Sequence, residues 1–123
     1  MPETNFQQPI NSAARILEEY ALGNRNFARA ELGAVNLQGV DLKGADFSYA
    51  DFSAANLCCA NLRGCDLSFA DLSQANLEDA DLRGAMLFST DLRNANLVGT
   101  KLEKADYDRT THFPLNFDLI EAG

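Results

Sequence analysis

A large apolar residue returns at every fifth position from Phe27 to Tyr107, and this period constrains the fold more than any other feature of the chain. The residue two before each of these centres is usually Ala, and the residue one before is usually Asp or Asn. The centres run without an insertion through Phe27, Leu32, Leu37, Leu42, Phe47, Phe52, Leu57, Leu62, Leu67, Leu72, Leu77, Leu82, Leu87, Leu92, Leu97, Leu102 and Tyr107.

Neither a helix nor a straight strand can bury a series with this period. Five residues rotate a helix by about 500°, which leaves successive centres about 140° apart around its axis. A strand alternates its faces, so a spacing of five would expose every second centre. All centres are buried only if the chain turns a corner between them and points each one to a common axis, as in a solenoid.

A longer period indicates how many sides the coil has. Leu-Lys-Gly at 42–44 recurs as Leu-Arg-Gly at 62–64 and at 82–84. Twenty residues are four units, which predicts a four-sided coil with a rise of about 4.8 Å per turn, the spacing of paired strands. Several corners place Gly where a type II turn needs a positive φ, whereas corners without Gly, such as 48–49 and 68–69, are predicted to be type I.

The repeated Ala-(Asp/Asn)-Leu-x-x unit resembles that of the pentapeptide-repeat proteins, and the resemblance covers nearly the whole chain. It implies an all-β solenoid, a right-handed quadrilateral β-helix, here of about four coils with a short N-terminal capping helix and a C-terminal covering segment. The segments at 16–27 and 111–123 look like the ends of small cyanobacterial members.

Four segments are predicted within one domain. Residues 1–9 are a flexible leader, 10–23 a capping helix, 24–107 the β-helix and 108–123 the covering segment. Asn11 or Ser12 can cap the helix, and Gly23 lies where a helix commonly ends. The register is predicted to fail after Tyr107, with Phe113, Phe117, Leu119 and Ile120 lying over the last coil. Because both ends are covered, a monomer is expected.

Composition excludes several classes of protein. The net charge of −8 and the pI near 4.4 argue against direct nucleic-acid binding through phosphate neutralisation. No apolar run reaches membrane-spanning length, and the polar start lacks the features of a secretory signal, so a cytoplasmic location without membrane association is expected. The three cysteines do not form a disulfide framework.

Residues flanking the centres point outward and stack at intervals of twenty. An acidic column, which could meet a basic partner or imitate DNA, consists of Glu31, Asp51, Asp71 and Asp91. A column of amides, predicted to bond along the stack, consists of Asn36, Asn56, Asn76 and Asn96. A charge-balanced face, predicted to be merely solvated, consists of Asp41, Lys43, Arg63, Asp81 and Arg83.

The remaining face carries an exposed apolar patch among acids, and it is the candidate partner-binding site together with the acidic column. The patch consists of Tyr49, Phe69, Met86 and Phe88. Contiguous apolar clusters on a surface commonly mark partner sites, although scattered apolar residues are ordinary. Cys58 and Cys59 fall at an outward corner without a second pair of ligands, Cys65 replaces an inward Ala, and no metal or cofactor is predicted.

The filled axis leaves no concave pocket, and the single histidine, His112, has no nucleophile at a fixed spacing, so no catalytic residues are predicted. The first hypothesis is therefore a non-catalytic rigid scaffold that acts as an interaction module for an unknown protein partner. The family resemblance implies the alternative, a DNA-mimicking protector or inhibitor of a type II topoisomerase (gyrase). It also leaves open a developmental role, as in heterocyst-forming relatives.

Overall fold

The computed structural model describes residues 10–115 and 117. Within them, the helix α1 spans Ala13–Ala21, and the remaining regular structure is a ladder of single-residue parallel bridges. Each bridge joins a residue to the one twenty positions later, from Asn26 paired with Asp46 to Met86 paired with Asp106. The predicted period of twenty is therefore confirmed, and each twenty-residue rung is called a coil below.

Three backbone hydrogen bonds per unit hold successive coils together. The N–H of the centre Leu42 donates to Asn61 O at 2.9 Å, and the N–H of Asn61 donates back to Val40 O at 2.8 Å. At the corner, the N–H of Gly44 donates to Arg63 O at 2.9 Å. Because this pattern repeats along the chain, the backbone is stiff and its outward side chains keep a fixed register.

The corners differ from the prediction. Each corner has two residues, and the second of them has a positive φ in every corner from Arg29 to Lys104, including Tyr49 at 64° and Phe69 at 65°. The predicted type I geometry for corners without Gly is therefore wrong. The positive φ aims the corner N–H at the next coil, as Tyr49 N–H shows by donating to Ser68 O at 3.0 Å. The ladder bond compensates for a left-handed conformation that costs a non-Gly residue roughly 1 kcal/mol.

The axis is filled as predicted. All centres from Phe27 to Leu102 are buried, together with most of the Ala residues two positions before them. Polar groups at these Ala positions bond to the preceding coil, since Thr90 Oγ1 donates to Leu67 O at 2.7 Å and Thr100 Oγ1 to Leu77 O at 2.8 Å. No buried side-chain oxygen or nitrogen among the described residues lacks a partner.

The N-terminal helix covers the first coil. Ser12 is its N-cap, accepting a hydrogen bond from Arg15 N at 3.1 Å, and Gly23, at φ 99°, follows its end in the left-handed conformation that glycine favours. Ile16 is completely buried against the core, and Ile10 O accepts from Glu31 N at 2.8 Å, which extends the ladder by one bond. The predicted leader lies outside the described residues.

At the C-terminal end the ladder continues beyond Tyr107, which is 37% exposed and therefore does not act as a buried centre. One extra residue shifts the register: Thr111 takes the inward position, and His112 forms a parallel bridge with Asp91. His112 thus holds the place of an Asp or Asn, not of a centre. Phe113 follows it and packs edge-on against Tyr107, with ring centroids 5.3 Å apart. Leu119 and Ile120, predicted to cover the last coil, lie outside the described residues.

Candidate interaction surface

The recurring Asp or Asn holds the corner that follows it. Its Oδ1 accepts a hydrogen bond from the N–H two residues later, as in Asp46 to Ser48 N at 2.9 Å and Asp66 to Ser68 N at 2.9 Å. This bond is the local Asx arrangement that short polar side chains form at turns. It fixes the outward direction of the next two side chains, so the outer columns are built by the same residues that build the corners.

The most distinctive outer column is an aromatic corner formed by Arg29, Tyr49 and Phe69, at equivalent places in three successive coils. The Tyr49 and Phe69 rings lie 4.7 Å apart with an interplanar angle of 3°, and the Arg29 guanidinium lies 4.5 Å from the centroid of the Tyr49 ring. Tyr49 is 49% exposed and Phe69 is 52% exposed. The stack is ordered by its own contacts while one side of it remains in water.

The other two members of the predicted patch adjoin this corner without joining the stack. Phe88 O accepts the hydrogen bond of Phe69 N at 2.9 Å, which places the two backbones side by side. Met86 stands in the ladder between Asp66 and Asp106, and both Met86 and Phe88 are partly exposed. The structure therefore brings the four predicted residues to one region, but only Tyr49 and Phe69 form a stacked pair of rings.

Sequence reasoning omitted Arg29, the third member of the aromatic corner. The signal for it was available, because Arg29 precedes Tyr49 by twenty residues, one coil of the predicted period. A guanidinium over an aromatic face contributes roughly 0.5–1 kcal/mol at an exposed site.

The acidic column is assembled as predicted, with parallel bridges joining Glu31 to Asp51, Asp51 to Asp71 and Asp71 to Asp91. Its carboxylates are not all free for a partner. Asp51 and Asp71 each accept two hydrogen bonds from the Ser two residues later, and Asp91 accepts a bidentate pair from Arg93 at 2.9 and 2.8 Å. Binding of a basic partner by this column stays a prediction.

The amide column is only partly bonded along the stack. Asn96 Nδ2 donates to Asn76 Oδ1 at 3.3 Å, whereas Asn56 Nδ2 donates to Gln38 Oε1 at 3.3 Å instead of to a stacked Asn. The Oδ1 atom of each Asn in this column already accepts a hydrogen bond from its own corner, for example Asn76 Oδ1 from Glu78 N at 3.0 Å. The local bond therefore competes with the continuous amide ladder that the sequence predicts.

The charge-balanced face contains a tight ion pair. Arg83 donates to Asp81 through Nε at 2.9 Å and Nη2 at 2.7 Å, and Arg63 Nε lies 4.0 Å from the same carboxylate. The hydrogen bonds from Arg83 hold the pKa of Asp81 below its usual range, and those from Arg93 do the same for the pKa of Asp91. The Arg83 and Arg93 side chains are 41% and 65% exposed, so solvent screens these pairs and each stabilises the fold only modestly.

These lowered pKa values predict an acid-dependent loss of stability. A depressed folded-state pKa contributes stability above the ordinary Asp pKa of about 3.9, and this contribution is lost as the pH falls through the folded pKa. We expect Asp81→Asn/Asp91→Asn to keep its corner hydrogen bonds and to lose less stability than the native chain as the pH falls below about 4. Urea unfolding at several pH values measures this difference.

Arg83→Gln/Arg93→Gln provides the matched variant for that measurement. It leaves both carboxylates in place and removes the guanidinium groups that lower their pKa values. The free energy of unfolding of this variant should also fall less steeply at acid pH than that of the native chain. If the free energy of unfolding of both variants falls with acid pH as steeply as that of the native chain, the two ion pairs are not the cause of the acid-dependent loss of stability.

The three cysteines occupy the predicted places. Cys65 is buried, its Sγ donates to Leu42 O at 3.1 Å, and burial raises the pKa of its thiol to about 12. Cys58 and Cys59 lie at an outward corner with their Sγ atoms 3.4 Å apart. Among the described residues, no group of three or more His, Cys, Asp or Glu side chains is arranged to hold a metal ion.

Within the described part of the chain, no helix is both long and apolar enough to cross a membrane. The expected cytoplasmic location stays a prediction.

The chain is similar to known proteins in both its repeat and its fold. A family model described as pentapeptide repeats, in 8 copies, matches residues 26–64 and 65–103. The crystal structure of Alr5209, a pentapeptide repeat protein from Nostoc PCC 7120, is 68% identical with a TM-score of 0.93, covering 95% of this chain and 97% of that one. No curated protein matches the chain.

A plant protein shares the architecture at greater distance. The pentapeptide repeat protein AT2G44920 from the Arabidopsis thaliana thylakoid lumen is 33% identical with a TM-score of 0.67, covering 70% of this chain and 61% of that one. Members of the matched family are generally structural or interaction proteins and not enzymes. The repeat match covers more than half of the sequence, and the chain therefore belongs to the pentapeptide-repeat family.

Proposed function

We propose that the chain is a non-catalytic rigid scaffold, a right-handed quadrilateral β-helix of about four coils, that acts as a protein–protein interaction module. The observation that carries this proposal is the aromatic corner, in which two stacked rings, each about half exposed, lie beside an exposed arginine on a stiff ladder. Tyr and Arg are enriched among the residues that dominate binding energy at protein interfaces.

The backbone beneath the aromatic corner is already ordered. Tyr49 N donates to Ser68 O at 3.0 Å, and Phe69 N donates to Phe88 O at 2.9 Å. The rings also order each other by stacking, which contributes roughly 0.5–1.5 kcal/mol beyond burial. A partner that docks here loses little free energy to ordering the surface, because the conformational entropy has already been given up on folding.

The surroundings indicate what kind of partner fits. Met86 and Phe88 extend the apolar area on one side, and Asp46 and Asp66 stand in the adjoining bridge column. An apolar centre with a polar rim is the usual anatomy of a protein interface. The proposed partner therefore presents an apolar side chain against the two rings and basic groups towards the neighbouring carboxylates.

The DNA-mimicking alternative depends on a continuous run of carboxylates that a DNA-binding protein could read as phosphates. The net charge of −8 supports it, but the bidentate bond of Arg93 neutralises Asp91 and shortens the acidic column. A supercoiling assay with purified gyrase tests it, and no effect at high micromolar protein would dispose of it. We rank the interaction module first because its surface combines order with exposure.

Tyr49→Gly/Phe69→Gly tests the interaction module without disturbing the fold. Both residues have a positive φ that Gly adopts freely, and Gly already occupies equivalent corner positions such as Gly64. We expect the variant to melt cooperatively within a few degrees of the native chain, since relief of the left-handed strain offsets the lost stacking. Recovery of the protein partner from a lysate of the source organism, measured by quantitative mass spectrometry, should fall roughly tenfold or more.

Ala54→Gly/Gln74→Gly is the matched control. These residues occupy another corner in the same two coils, are exposed and also have a positive φ. The control should recover the partner as well as the native chain does. The purified partner should bind the control with native affinity and bind Tyr49→Gly/Phe69→Gly more weakly. Equal recovery by both variants, or no capture above bare resin, would contradict the proposal.

A further inference from the structure

The interaction surface leaves one reactive group unused, the pair of adjacent cysteines at the corner of the second coil. Cys59 is exposed and Cys58 is partly exposed, and their Sγ atoms lie 3.4 Å apart, in contact but not bonded. Cys65 is buried and bonded within the core, so it does not belong to this site. The surface therefore carries a vicinal dithiol.

The backbone of this dithiol is held on both sides by the ladder. Gly39 N donates to Cys58 O at 2.8 Å, and Cys59 N donates to Glu78 O at 2.9 Å. Asn56 Oδ1 accepts from Cys58 N at 3.1 Å. The two thiols are presented by a fixed turn, so a ligand that bonds to both loses little additional chain entropy.

The space around the pair is open. Gly39 occupies the same corner one coil earlier, and a Cβ placed there would meet no atom within 4 Å. Asp79 occupies the corner one coil later, but its carboxylate leans over Gly99, away from the cysteines. The residues that stack above and below Cys59 therefore leave it exposed, while Cys58 beside it is partly exposed.

The separation of the sulfur atoms selects among thiophilic ligands. Two sulfur bonds of about 2.3 Å, the length of a zinc–thiolate bond, would meet at one atom with an angle of about 95° across the 3.4 Å separation. That angle suits a pyramidal centre with three substituents better than a tetrahedral ion with four. Zinc would also need two further ligands, and the described residues offer no such cluster.

We propose that Cys58 and Cys59 form a binding site for trivalent organoarsenicals, a function separate from the protein interaction proposed above. The arsenic–oxygen double bond of R–As=O is replaced by two arsenic–sulfur bonds. The oxygen leaves as water with the two thiol protons, and arsenic keeps its oxidation state and its organic group. No oxidant or reductant is consumed.

The electrostatics of the corner suit this condensation better than alkylation. The mutual hydrogen bond of the two thiols raises the pKa of Cys58, with further contributions from the nearby Glu78 and Asp79. Neutral thiols react slowly with simple electrophiles because the thiolate is the nucleophile. In the condensation both protons leave with the departing oxygen, so no negative charge accumulates beside the two acids.

Phenylarsine oxide is the probe for this site. The native chain, kept reduced with a phosphine, should take up one phenylarsenic group per molecule by intact-mass spectrometry. The adduct should survive millimolar glutathione and be removed by a small dithiol, because chelation by two linked groups raises affinity roughly 10²-fold or more over one. Cys58→Ser and Cys59→Ser should each lose that resistance to glutathione, while Cys65→Ser should retain it.

Several results would overturn the proposal. They are no adduct on the folded native chain, an adduct that glutathione removes as readily from the native chain as from Cys58→Ser, or an adduct that requires Cys65. Circular dichroism of each variant shows that the ladder is intact, so loss of the adduct cannot be ascribed to unfolding. None of these outcomes bears on Tyr49→Gly/Phe69→Gly, so the two proposals fail independently.

Discussion

Leu62→Ala is expected to lower the free energy of unfolding by about 3–5 kcal/mol, the upper range for removing a buried Leu side chain. Leu62 is completely buried, and its neighbours in the ladder are the equally buried Leu42 in the coil before and Leu82 in the coil after. The stiff backbone cannot collapse into the cavity without breaking ladder bonds, so little of the loss is recovered. Urea unfolding followed by circular dichroism measures the change.

Two further Leu→Ala variants place this value on a scale. Leu102 is buried at the C-terminal end of the described bridge ladder, where the described residues pair its unit with the coil before it. Its replacement should cost less than that of Leu62, about 2 kcal/mol. Leu22 is largely exposed after α1, and its replacement should change stability by less than about 0.5 kcal/mol. A Leu62→Ala effect as small as that of Leu22→Ala would contradict a filled axis.

The period of five and the recurrence at twenty were enough to predict the ladder and the register of its columns. They worked because one requirement, burial of every centre, excludes helices and straight strands and leaves a cornered coil. Consequently Glu31, Asp51 and their successors could be placed in one column from the sequence, and the bridges pair them as expected.

The corner geometry could not be read in the same way. Turn preferences are local, and residues such as Tyr49 and Phe69 avoid a positive φ in isolation. In the folded chain their N–H groups donate hydrogen bonds to carbonyl groups in the next coil. These long-range hydrogen bonds override the local preference. The prediction failed because it weighed a local cost without the ladder bond that offsets it.

The C-terminal shift and the contacts of the outer surface were missed for different reasons. A strict period of five assigns His112 to a centre, whereas one inserted residue moves the centre position to Phe113. The small Thr111, two residues before Phe113, was the available signal for this shift. The aromatic stack and the 3.4 Å separation of the cysteine sulfurs depend on side-chain rotamers, which a column map does not contain.

Ile16→Asp is expected to destabilise the chain by about 3–5 kcal/mol, because a carboxylate would replace a side chain that is wholly buried in the apolar core cluster. Ile16 belongs to the face of α1 that packs against the core together with Ala13 and Tyr20. If that face is displaced, the first coil exposes its apolar centres and unpaired backbone groups. We therefore expect self-association as well as a lower unfolding temperature.

Leu17→Asp is a closely matched control, since it introduces the same charge in the next residue of the same helix, where the side chain is 42% exposed. It should change stability by less than about 1 kcal/mol and leave the chain in the same oligomeric state as the native protein. Thermal unfolding and size-exclusion chromatography with light scattering measure both effects. If Ile16→Asp behaves like Leu17→Asp, the first coil does not need its cover, and the association of such solenoids must be limited by the charges on their sides instead of by their ends.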